Sequence, residues 1–419
     1  MAENRNFSRR TFIGAMAAAG GALAVAGMTR PEAARAAKPS GKPVKIGHMC
    51  VLSGVLGGYG QFMQMGATLA AEEINAAGGI LGRPLEFQFR DDQVKPDVGV
   101  KNARYFVDEW GADFVAGIDS SGVALAVAKV MPQLNKILMI THGATEKVNE
   151  ELVYKEGIKQ VFRISVPVYQ DGIASAMIAK DLPVKRWATI SPKYEYGYTS
   201  WEMFKNTLKR FRPDAEFVEE SWAPFGTTDF GPHISKVMGA NPEGIFTTEW
   251  AGEAVALVKQ AKLFGVFGKI KEWLNPMGAA MDVLEGLGKD YPEGLWVSSR
   301  YWFLYPPTGI NQSFVERFHK RWSKYPHYSS ETSYSAYWAL KRACELAGST
   351  ETDKVIKALE DLTLITPAGR RWFRKEDHQA VYEVPWGRTK EDPKYPFRIL
   401  GDMRTVPAEM YYRHPPFTA

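Results

Sequence analysis

Residues 49–64 read MCVLSGVLGGYGQFMQ: an apolar run, four glycines within seven positions, then a segment with helical character. A glycine-rich turn between a strand and a helix exposes backbone amides, and its chemistry would be the cradling of a phosphate or another anion. The dinucleotide pattern requires GxGxxG, but Gly58-Tyr59-Gly60 is followed three residues later by Met63. The other common phosphate loop must end in Gly-Lys-Ser or Gly-Lys-Thr, and this turn does not. The turn therefore has the position of a nucleotide loop without its spacing.

Catalytic constellations fare no better. None of the seven histidines (48, 142, 233, 319, 327, 378, 414) pairs with another or with a cysteine at metal-ligand spacing, and there is no HExxH or CxxC. No metal site and no cofactor are expected. The stretch Gly117-Ile118-Asp119-Ser120-Ser121-Gly122 misses the GxSxG register of a nucleophile elbow. With no nucleophile and base to name, no catalytic residue is expected, and a secreted hydrolase is the weakest alternative. What such loops can do is bind. Ser120, Ser121 and Gly122 lie between a predicted strand and a helix, where free amides and hydroxyls hold a carboxylate. The plainer role of either serine is a helix N-cap.

The elements that must position these residues alternate. From Val44 onward short apolar strands (44–49, 85–90, 114–117, 137–140) are interleaved with helices predicted at 61–77, 97–110 and 122–134. In the first helix Met63, Ala67, Ala70 and Ile74 form one apolar stripe, and Gly78-Gly79 ends it. After Phe162-Arg163-Ile164 the alternation repeats: helices at 170–180, 200–210, 230–238 and 253–264, strands at 187–191, 216–220, 244–248 and 271–274. Helices at 314–325, 330–346 and 352–362 precede a β-like, aromatic and basic tail. Strand–helix alternation of this kind builds parallel sheets, and its repetition predicts two α/β lobes.

The chain of 419 residues, 45% hydrophobic and 24% charged, is long enough for two ordinary domains. Residues 1–37 are set apart: Ser8-Arg9-Arg10-Thr11-Phe12-Ile13 opens a twin-arginine signal, an Ala- and Gly-rich stretch follows, and Ala34-Arg35-Ala36 offers a cleavage site. Its composition is too weakly apolar for a membrane anchor, and no cysteine stands there to take a lipid. Export in folded form to the periplasm is expected. The net charge of +5 falls to +2 without the leader's five Arg and two Glu, which gives no support for nucleic-acid or membrane-surface binding. Two cysteines, Cys50 and Cys344, exclude a disulfide scaffold; two buried thiols are expected, with one long-range bridge as the alternative.

The order of several motifs carries a resemblance. Gly60-Gln61 to Gly66-Ala67, the run Ala71 to Leu85 (AEEINAAGGILGRPL), Asp91-Asp92, Ala116-Gly117 with Ser120-Ser121-Gly122, Phe162-Arg163, Tyr196-Gly197 and Thr227-Thr228-Asp229-Phe230 are similar, in sequence, to the branched-chain amino-acid-binding family. These are type I periplasmic solute-binding proteins of ABC importers, and the resemblance covers nearly the whole mature chain. It implies two Rossmann-like lobes joined by a three-strand hinge, residues 44–163 plus 298–362 and 165–297 plus 363–419, with crossovers near 164–167, 297–300 and 364–367. It also implies a monomer that captures an amino acid or a related, even aromatic, carboxylate and hands it to an inner-membrane permease. A periplasmic sensor of the same fold is the alternative.

Carried over residue by residue, the family's contacts fall on Tyr59, on the carboxylate loop Ser120 and Ser121, and on Gly143, Ala144 and Thr145. On the other lobe they fall on Tyr194, Tyr196, Glu249 and Trp250. Each aromatic would equally suit lobe packing. Where amino-acid binders usually place an acid to meet the ligand ammonium, this chain has Met277. Either Glu249 takes over that role or the ligand has no ammonium, because a buried ammonium without a partner is strongly disfavoured.

Overall fold

The computed structural model describes residues 38–53 and 57–417. Residues 1–37, read from sequence as an export leader, and Gly54, Val55 and Leu56 of the glycine turn lie outside the described residues.

Five strands, β1 (Val44–Cys50), β2 (Leu85–Asp91), β3 (Phe114–Gly117), β4 (Ile137–Ile140) and β5 (Val161–Arg163), form a parallel sheet ordered β2-β1-β3-β4-β5. Helices α1 (Gly57–Ala76), α2 (Pro96–Arg104) and α3 (Ser121–Leu134) connect them. The central strands β3 and β4 are buried at every position, as a sheet covered on both faces requires. The helix predicted at 97–110 ends early as α2 and continues as a π-helical turn, Tyr105–Glu109.

The second layer runs α4 (Val168–Ala179), β6 (Arg186–Pro192), α5 (Glu195–Phe211), β7 (Glu216–Ala223), α6 (Gly231–Gly239), β8 (Gly244–Phe246), α7 (Ala251–Leu263), β9 (Glu272–Asn275), α8 (Met281–Leu287) and β10 (Trp296–Ser298). The chain then forms α9 (Gly309–Trp322), α10 (Tyr328–Ala347) and α11 (Thr352–Leu359), and α10 packs along α1 of the first layer. Strands β11 (Thr363–Thr366), β12 (Gly369–Phe373) and β13 (Ala380–Val381) make a small antiparallel sheet of their own. Only at β14 (Val384–Lys390) and β15 (Ile399–Val406) does the chain rejoin the second sheet, ordered β15-β14-β10-β9-β8-β6-β7. The segment 364–367, read from sequence as a crossover, is thus the start of a hairpin: Pro367 favours a turn, and Thr366 pairs with Gly369.

Two helices begin earlier than their apolar periodicity predicts, for one reason. α1 starts at Gly57 and α5 at Glu195, so each has a glycine in its first turn lying against the end of the preceding strand. A Cβ on Gly60 would stand 1.8 Å from the Val51 carbonyl oxygen, and one on Gly197 would stand 2.1 Å from that of Pro192. The glycines allow the helix to start immediately beyond the strand, which puts Tyr59 and Tyr196 at the carboxyl ends of their sheets.

Candidate functional site

Four helix starts converge on one cleft of about 700 Å³ between the two sheets. α1 brings Tyr59, α3 brings Ser120 and Ser121, α5 brings Tyr194 and Tyr196, and α7 brings Trp250. In open α/β sheets ligands sit outside the carboxyl ends of the strands, where unpaired backbone N–H groups and helix dipoles favour negative charge. The sides touch across the cleft. The Tyr59 and Trp250 rings meet edge-on at 5.9 Å, and Lys147 Nζ lies 3.5 Å from Glu195 Oε1.

Ser120 occupies the N-cap position of α3 in extended conformation, but its side chain makes no capping hydrogen bond. The hydroxyl is left to the cleft. Ala144 and Thr145 border the cleft as well, and the buried Thr145 Oγ1 has no partner. Gly143 does not border it: its N–H donates to the Ile118 carbonyl at 3.0 Å, so the first of the three expected contacts is spent on holding the loop.

On the opposite wall Trp250 Nε1 donates to Tyr194 Oη at 2.9 Å, which fixes two rings at once. Tyr196 Oη donates to Asp171 Oδ2 at 2.9 Å. Met277 lines the cleft, its N–H donating to the Asn275 side chain at 2.8 Å. Glu249 does not line it. Its side chain is buried behind the wall with Oε1 unpartnered, and burial, with Glu253 adding, pushes its carboxyl up to about 9. In the ligand-free protein Glu249 is thus a neutral carboxyl that is not part of the cleft lining.

Sequence reasoning missed several residues of the cleft, four of which bear on its chemistry. Asp119 borders it beside Ser120; burial first and Asp92 second push its carboxyl up to about 7, against the pull of Arg300. His142 borders it with both ring nitrogens engaged, Nδ1 with Thr141 at 2.7 Å and Nε2 with Thr332 at 2.9 Å. Tyr328, at the start of α10, packs against Tyr59 at 5.6 Å. Arg300 follows β10 by two residues and is buried at the cleft wall. Asp119, His142 and Arg300 each sit two residues past a strand's carboxyl end, a signal available from sequence; Tyr328 carried none. Among the described residues no group of three or more His, Cys, Asp or Glu side chains could hold a metal ion.

The cleft thus has aromatic walls, a serine hydroxyl and one acid whose carboxyl burial pushes up to about 7, set between a parallel and a mixed sheet. The sequence pattern of the periplasmic binding protein family matches residues 43–393. The chain belongs to that family. It is 27% identical to the leucine-, isoleucine-, valine-, threonine- and alanine-binding protein of Pseudomonas aeruginosa over 331 residues, 79% of this chain and 85% of the relative. An ABC-type branched-chain amino acid transporter protein from Rhodopseudomonas palustris shares its fold at a TM-score of 0.74 and 28% identity, over 88% of this chain and 98% of that one. A solute-binding protein of R. palustris solved with benzoate has the same fold at a TM-score of 0.75 and 18% identity, over 87% of this chain and 98% of that one. Members of the family are periplasmic binding proteins of transporters. Among the described residues no helix is long and apolar enough to cross a membrane.

Proposed function

We propose that this protein is the solute-capturing component of an ABC importer, closing two lobes over an amino acid or a related carboxylate and delivering it to an inner-membrane permease. The observation that carries the reading is the convergence of helix starts on a cleft bordered by Ser120, whose hydroxyl makes no capping hydrogen bond to α3. The lobes are residues 44–163 plus 298–362 and 165–297 plus 363–419, and the chain works as a monomer exported by its twin-arginine leader without a lipid.

The ligand class is a bulky apolar or aromatic carboxylate. Tyr59, Tyr194, Tyr196, Tyr328 and Trp250 supply ring surface, while Met277 stands where an acid would meet an ammonium. A second reading is favoured by Asp119: its unpaired carboxyl at the cleft wall would accept an ammonium, and the ligand would then be an amino acid. A hydrolase has no support, since His142 faces Thr141 and Thr332 and makes no hydrogen bond to Ser120 or Ser121. A thermal-shift panel of benzoate, 4-hydroxybenzoate, leucine, phenylalanine and short dicarboxylates tests the function. A ligand at 100 times its dissociation constant stabilises the native state by ~2.7 kcal/mol. No shift with any carboxylate would overturn it.

A further inference from the structure

Arg300 is fully charged, buried and incompletely partnered at the edge of the cleft. Its side chain is 8% exposed. A guanidinium presents five N–H donors in a fixed planar fork. Here only Nη2 has an acceptor among the described residues, donating to Asp171 Oδ2 at 3.0 Å. Nε is sealed from the cleft and has no acceptor among the described residues.

The surroundings hold this group still. Asp171, in the first turn of α4, accepts from Tyr196 Oη as well as from Arg300, so one carboxylate orients both. The guanidinium carbon lies 6.0 Å from the Tyr196 ring and 5.7 Å from the Tyr328 ring. Those rings offer their π-faces to the charge but no acceptor in the plane of the fork. A buried charged donor left unsatisfied is costly, and a single ion pair to Asp171 leaves most of the fork unanswered.

Thr145 borders the same cleft, with its hydroxyl buried and without a partner among the described residues. A charged fork whose Nη1 is unanswered at the cleft calls for a group with several acceptor lone pairs. A carboxylate has about four lone-pair sites on two oxygens, and the planar guanidinium fork matches its geometry. A neutral amide or hydroxyl answers one donor and leaves the charge unmet.

We propose that Arg300 is the carboxylate anchor of this site, held by Asp171 and Tyr196 so that its Nη1, which has no acceptor among the described residues, donates to the ligand's acid group. The inference rests on the solute-capture reading above and moves acid recognition from the Ser120–Ser121 loop to the segment that leaves β10. Because Arg300 is fixed to α4 and α5 on one side and lies against Tyr328 of α10 on the other, an acid bound to it bridges the two layers. Recognition of the acid and closure of the cleft then share one residue.

The test uses the mature chain and titration calorimetry with benzoate and leucine, each beside its neutral-headed counterpart, benzamide and leucinamide. Wild type should bind at least one acid, and the matching amide at least 100-fold more weakly. Arg300→Lys keeps the charge but not the fork, and should weaken the acid at least 30-fold while changing the amide less than threefold. The double variant Arg300→Gln with Asp171→Asn leaves no uncompensated charge and should lose the acid to the same degree, with a melting temperature that reports whether it folds. Equal loss of acid and amide would assign Arg300 to structure alone, and unchanged acid binding in Arg300→Lys would overturn the anchor. A wild type that binds neither these acids nor any carboxylate of the wider panel overturns the solute-capture reading itself.

Discussion

Glu249 stands three residues beyond β8, 1% exposed as a residue, with Oε1 without a partner among the described residues. Burial pushes it from 4.5 up to about 9, so the folded protein keeps a proton there that the unfolded chain gives up. The sign follows. Between 4.5 and 9 the unfolded state binds fewer protons, and stability falls as pH rises through that window. From the unfolded value to pH 7 is about 2.5 pH units, each worth about 1.4 kcal/mol, so keeping the carboxyl neutral costs about 3 kcal/mol. Glutamine has nearly the same shape and no proton to retain. Glu249→Gln should therefore be indistinguishable from wild type near pH 4.5 and more stable by about 3 kcal/mol at pH 7. Urea unfolding of the ligand-free mature chain at pH 5, 6, 7 and 8, followed by circular dichroism, measures the difference. A gap independent of pH, or a variant less stable at pH 7, would refute the reasoning and return Glu249 to the ionised role considered from sequence. Benzoate affinity should change less than threefold, since Glu249 does not line the cleft.

Gly58→Ala and Gly60→Ala should part company although two residues apart: a Cβ at 58 meets nothing within 4 Å, while one at 60 falls on the Val51 carbonyl. The first should raise stability by up to ~1 kcal/mol through helix propensity, and equal melting temperatures for the two would contradict the packing argument. Asp119, at about 7 in the free cleft, should make benzoate binding pH-dependent. A bound anion near Asp119 favours its protonated form, so affinity falls by up to about tenfold per pH unit above 7, and Asp119→Asn flattens the profile. Affinity that rises with pH would instead support an ammonium-bearing ligand. Cys50 and Cys344 are free and buried, so a thiol reagent should titrate neither in the native protein and both in denaturant; fewer than two in denaturant would reveal a bridge.

The repeating strand–helix pattern pointed to the α/β architecture and the order of the motifs to the family, and the fold and the family match over residues 43–393 bear both out. Strands β3 and β4 were legible to the residue, because four consecutive apolar residues between turns can only be buried in a covered sheet. The helix starts were not. Apolar periodicity begins where a helix meets the core, whereas α1 and α5 begin where Gly60 and Gly197 let the chain pass a strand's last carbonyl, a contact between segments that periodicity does not record.

The same limit divides the site. Local pattern placed Ser120 and Ser121 at a strand-end loop, the resemblance added Tyr59, Tyr194, Tyr196 and Trp250, and the fold brings all six to one cleft. Only tertiary structure decided which polar groups are met and which are left open. Asp171 and Arg300 are 129 residues apart and pair only because the chain recrosses between the sheets. Glu249, one residue from Trp250, is turned into the core and neutralised there. Residue type gives a side chain its charge and donors; burial and partners, which depend on distant segments, decide whether they remain available to a ligand.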